Sequence, residues 1–71
     1  MNKTVLEFLN TLPNGTNVEI HLTIGTTSWR TDPEVNNFLV GAVGRRGIER
    51  TSEVIGANGE KIIHIFPMRR G

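Results

Sequence analysis

Apolar positions recur along the chain with two different periods, and the alternation between them predicts five elements. Val5, Phe8, Leu9 and Leu12 fall at i, i+3, i+4 and i+7, which is one face of a helix. Thr4 and Glu7 frame its start as a capping box, the hydroxyl accepting from the third helical N–H while the glutamate reaches back to the cap. Pro13-Asn14-Gly15 ends it, because proline brings no N–H and glycine tolerates a positive φ. From Asn17 to Ile24 the period shortens to two. Val18, Ile20, Leu22 and Ile24 alternate with Glu19, His21 and Thr23, a pattern rich in β-branched residues that predicts a strand. A short helix carrying Ile20 and Ile24 is the competing reading, and it leaves Leu22 on the wrong side. Residues 25–30 carry no regular pattern.

Thr31-Asp32-Pro33-Glu34 is a second start signal, with a cap oxygen, a proline in the first turn and a glutamate behind it. Val35, Phe38, Leu39, Ala42 and Val43 then predict a helix over 31–46 packed on the core through those five positions. Its outer face becomes Asn36, Asn37, Val40, Gly41 and Gly44. Each glycine costs about 0.5–1 kcal/mol relative to alanine in a helix, so two of them imply close approach of another backbone or nucleic-acid strand, or fraying at Gly44. Gly47 is the expected C-cap. Two strands follow, Ile48 to Ile55 and Lys61 to Phe66, joined through Gly56-Ala57-Asn58-Gly59, where Asn-Gly favours a type I′ hairpin turn. Pro67 ends the hairpin, and 68–71 reads as a flexible C-terminal tail. The expected fold class is therefore α+β, of order α-β-α-β-β: one domain over 1–67 with a small three-stranded antiparallel sheet packed on two helices.

Length and composition narrow the class further. A chain of 71 residues makes one domain, burying only about 60% of the surface it exposes when unfolded. Without cysteine it has neither disulfides nor a thiolate zinc site, which fits a reducing compartment. No apolar run approaches the roughly 18 residues of a membrane span, and the start lacks the pattern of a signal peptide. A cytoplasmic protein with no membrane partner is expected. The net charge is +1, but six of the eight basic residues are arginines. Arg45, Arg46 and Arg50 cluster, and Arg69 and Arg70 close the chain. The planar guanidinium fork suits phosphate and guanine; the alternative is a solvated face on which these arginines pair with Glu49 and Glu53.

The acid–base residues form no catalytic spacing, no Gly-x-Ser-x-Gly elbow surrounds Ser28 or Ser52, and no enzyme is expected. Gly41, Gly44 and Gly47 imitate a phosphate loop but lie at a helix C-terminus, where the dipole has the wrong sign. His21 and His64 both fall in strands and can neighbour each other across a sheet. Lacking a placed carboxylate or thiol, they make a poor zinc site, so neither metal nor cofactor is expected. Trp29 is either core packing or a partner anchor that stacks on a base or fills a pocket.

Residues 35–51, with a periodic helix, the basic pair Arg45-Arg46, Gly47, Ile48 and then a glycine-tipped hairpin, resemble a winged helix-turn-helix DNA-binding domain. The resemblance covers nearly the whole chain, except that the buttressing second helix has only residues 19–31 to occupy. It implies a regulatory protein whose helix 31–46 reads the major groove, with Thr31 at its start and Asn36 and Asn37 on adenine edges. Arg30, Arg45, Arg46 and Arg50 would meet phosphates, Lys61 would sit on the wing, and a homodimer would suit palindromic sites. The opening, residues 8–12 followed by 18–22, is also similar to that of Sm-like RNA-binding proteins. An interaction module that occupies a host protein is the other reading, with Trp29 and Val40 as its anchors.

Overall fold

The computed structural model describes residues 3–68. Two hairpins, each preceded by a helix, merge into one four-stranded sheet with both helices on the same face. The order is α1 (Val5–Thr11), β1 (Asn17–Leu22), β2 (Gly25–Arg30), α2 (Pro33–Val40), a 3₁₀ turn (Gly41–Arg45), β3 (Ile48–Ile55) and β4 (Lys61–Pro67). The strands lie in the order β2-β1-β4-β3. β1–β2 and β3–β4 are antiparallel, and the central β1–β4 junction is parallel.

The expected order α-β-α-β-β and the three-stranded antiparallel sheet are thus corrected to α-β-β-α-β-β and a mixed four-stranded sheet. The missing element is β2. Thr23 and Ile24 turn β1 back at Gly25, whose φ of 150° is one that glycine adopts most readily. Nearly every β2 side chain is exposed, so no apolar alternation marks it. A winged helix-turn-helix needs a helix where this strand runs, and an Sm-like fold needs strands where α2 runs.

α1 forms as its sequence dictates. Thr4 N–H donates to Glu7 Oε1 (3.0 Å), Glu7 N–H donates to Thr4 Oγ1 (3.2 Å), and Val5 and Leu9 are fully buried. They pack on Val18 and Ile20 of β1, Ile63 and Ile65 of β4, and Val40 of α2, which together make the core. The β3–β4 hairpin also stands where its pattern places it. Its turn is not type I′, since Asn58 keeps a negative φ and only Gly59 (φ 82°) is left-handed. Gly59 N–H donates to Gly56 O (2.9 Å) and Gly56 N–H to Glu60 O (2.6 Å), the longer loop in which a glycine restores the strand register.

α2 departs most from its apolar spacing. It is two turns long, begins at Asp32, whose carboxylate accepts from Glu34 N–H (3.0 Å), and breaks at Gly41 (φ 49°). The face it buries carries Asn36 and Val40, while Phe38 is 84% exposed. The reason is a polar network. Asn36 Oδ1 accepts from Trp29 Nε1 (2.9 Å) and Asp32 N–H (3.3 Å), and Asn36 Nδ2 donates to Asn10 Oδ1 (3.2 Å). A buried amide so satisfied carries little desolvation penalty and takes the inward position from Phe38. Gly44 has its own reason: a Cβ there would lie 2.7 Å from Val40 Cγ2 and 3.3 Å from Leu6 Cβ, where the 3₁₀ turn presses on α1.

Candidate interaction surface

The residues expected to hold DNA do not share a surface. Thr31 is buried, its hydroxyl donating to Pro13 O (2.7 Å) and accepting from Thr16 N–H (3.0 Å), so it pins the α1–β1 connection. Asn36 is buried in the network above, and Asn37 Nδ2 donates to its own helix at Pro33 O (2.9 Å). Arg30 and Arg50 stand on the helix-free face of the sheet but on opposite edge strands, three strand spacings (about 14 Å) across the sheet and four residues (about 13 Å) along it. Lys61 alternates to the other face, Arg45 is exposed on the 3₁₀ turn, and Arg46 is half-buried near Phe66 and Glu49. Neither expected anchor is free: Trp29 packs against the core and Val40 belongs to it. Arg69, Arg70 and most of the expected tail lie outside the described residues. With the strand β2 in place of a helix between β1 and α2, and with Asn36 buried and Asn37 tied to its own helix, the groove reader and its wing are overturned.

The side of α2 that faces solvent carries an apolar stripe beside the polar Glu34 and Asn37. Val35, Phe38 and Leu39 are 38%, 84% and 41% exposed, and their i, i+3, i+4 spacing makes one stripe. Leu39 joins Leu22, Thr27, Trp29 and Val43 around a narrow crevice between α2 and the sheet, so the stripe lies toward β2. β2 is an edge strand. Its outer rim runs Gly25-Thr26-Thr27-Ser28-Trp29, with no charge before Arg30, no proline and no bulge. The opposite edge, β3, is guarded: it carries Glu49, Arg50 and Glu53, and a bulge breaks its register between Ile48 and Arg50. Natural sheets blunt the edges that must stay single in this way, and β2 lacks those devices.

The helix-free face of the sheet carries a second constellation. His21 lies between His64 (ring centroids 5.0 Å apart) and Phe66 (4.3 Å), and the Arg50 guanidinium covers the Phe66 ring at 3.8 Å. Parity explains the grouping: Glu19 and His21 are two apart on β1, His64 and Phe66 two apart on β4, and Glu19 is registered with His64.

These features define a small α+β domain with a mixed sheet, one unguarded edge and an apolar helix stripe beside it. No protein-family model matches the sequence, no curated protein matches it, and no solved structure matches it.

Proposed function

We propose that the protein acts by association rather than catalysis, and that its partner is a second copy of the same chain, docked through β2 and the α2 stripe. The observation that carries this reading is Phe38, a large aromatic side chain 84% exposed on α2, flanked by the exposed apolar Val35 and Leu39 and bordered by the exposed polar Glu34 and Asn37. Exposed apolar surface of this kind, contiguous and rimmed by polar groups, marks an interface.

Self-pairing suits the chemistry. Two β2 strands running antiparallel about a two-fold axis normal to the sheet would form an eight-stranded sheet and bring both α2 helices together on the same side. An isologous contact of this type brings the two stripes together. Along the paired rims no like charges meet, because Arg30 falls opposite the neutral turn or the threonines of the other copy. With Phe contributing about 150–250 Å² when fully buried, the two stripes would together cover on the order of 600 Å² of apolar surface. Adding the strand edges brings the interface near the lower limit of stable dimers, so a micromolar dimer is expected. Sedimentation equilibrium between about 1 and 200 μM tests this. Wild type should pass from monomer to dimer, while Phe38→Glu and Ser28→Lys, the latter setting a charge on the β2 rim, should stay monomeric with unchanged circular dichroism. A wild type that remains monomeric throughout, or a dimer indifferent to both substitutions, overturns the reading.

A further inference from the structure

On the helix-free face, three basic atoms converge. His21 Nε2 lies 2.8 Å from His64 Nδ1. Glu19 Oε1 lies 3.0 Å from that His64 nitrogen and 3.8 Å from His21 Nε2. An ionised carboxylate only accepts, and each neutral imidazole holds a single N–H. One hydrogen on His21 Nε2 leaves the Glu19–His64 contact with lone pair facing lone pair, and one on His64 Nδ1 serves both short contacts only as a bent three-centre bond. The arrangement calls for a shared electrophile at its centre.

The geometry points to a zinc ion as that electrophile, and we propose Glu19, His21 and His64 as its ligands. The three separations place the atoms on a circle of radius about 1.9 Å. A point about 2.05 Å from all three, the usual Zn–N and Zn–O length, therefore lies about 0.7 Å out of their plane. In a regular tetrahedron with bonds of that length the metal also stands about 0.7 Å above the plane of three ligands, so the site needs shifts of only about half an ångström. Ligation requires no net deprotonation of neutral imidazoles. Moving each ring's hydrogen to its far nitrogen, Nδ1 of His21 and Nε2 of His64, frees both lone pairs.

Two imidazoles and one carboxylate form a donor set of intermediate softness that suits zinc and also cobalt(II), whereas magnesium and calcium prefer all-oxygen sites. The ligand side chains are 20–29% exposed, which lets an ion enter from solvent and leaves the fourth position to water. Among the described residues this is the one such grouping of His, Cys, Asp or Glu. Sequence spacing discounts the two histidines for want of a placed carboxylate. The missing carboxylate is Glu19, brought to His64 by the parallel register of β1 on β4.

Isothermal titration of the metal-free full chain with zinc chloride tests the proposal, alongside cobalt(II) titration followed by its visible spectrum. The expected result is one ion per chain, tetrahedral-type cobalt absorption, and shifts of the His21 and His64 ring resonances on zinc addition. Glu19→Gln, which keeps side-chain shape, and His64→Ala should each weaken binding at least tenfold; Glu53→Gln, on the other face, should not. If His64→Ala fails to fold, Glu19→Gln and the ring resonances decide alone. Absence of binding at 100 μM zinc would overturn the proposal. Binding unaffected by both ligand substitutions would overturn it as well.

Discussion

Replacing Asn36 and Phe38 with alanine, one at a time, tests which side of α2 faces the core. Removing the Asn36 amide frees three partners, but they are not equivalent. Asn10 and Asp32 are exposed and can turn to water, whereas the Trp29 indole N–H is packed against the core. An unsatisfied buried donor costs about 1–3 kcal/mol, so Asn36→Ala should lose about 2 kcal/mol. Phe38→Ala removes a ring already in water and improves helix propensity, so it should stay within about 0.5 kcal/mol of wild type. Were Phe38 in the core, as apolar spacing alone places it, the same change would cost about 3–5 kcal/mol. A 71-residue chain has an unfolding entropy of about 150 cal/mol/K, so each kcal/mol moves the melting temperature by about 7 °C. Thermal melts at a concentration where wild type sediments as monomer should then show a drop of about 13 °C for Asn36→Ala and less than about 4 °C for Phe38→Ala. The reverse ranking would refute the inward-facing amide.

Gly44→Ala places a methyl 2.7 Å from Val40 Cγ2 and should destabilise by about 1–3 kcal/mol through overpacking; the urea midpoint should fall with its slope unchanged. Thr4→Ala removes one arm of the α1 capping box and should cost about 1 kcal/mol, read as a melting point about 7 °C lower.

What could be read from sequence divides by how local the determining contacts are. α1 is set by Thr4, Glu7 and a four-position stripe, and the β3–β4 hairpin by two strands and a glycine turn, all within a few residues of each other. β2 is invisible to periodicity because, Trp29 apart, it exposes both sides, and its β-branched Thr26 and Thr27 with Trp29 are the local hint. The phase of α2 is set by Trp29 and Asn10, the latter 26 residues away, and counting apolar side chains cannot register an amide that wins the inward position by hydrogen bonding. The predicted reading face inverted for that single reason. The His–His–Glu grouping lies furthest from local reach, since it joins side chains 43 residues apart through a parallel register.

That register is also where the molecule is jointed. Each hairpin closes locally, but β1–β4 ties the first to the second across a long stretch of chain, and parallel pairing is slightly weaker per residue than antiparallel. On one face the joint is sealed by Val18 and Ile20 against Ile63 and Ile65, all buried. On the other face, flanked by Ile62 and by Phe66 stacked on His21, the side chains of Glu19, His21 and His64 meet. Two of these side chains come from β1 and one from β4, so any electrophile they share, proton or metal, bridges the two hairpins. The polar cluster therefore sits where the fold has most to gain from a cross-link, at its one non-local strand pairing, while the unguarded β2 rim lies one strand further out on the same sheet. Stiffening the joint would also fix β1, the strand on which β2 and its rim are built.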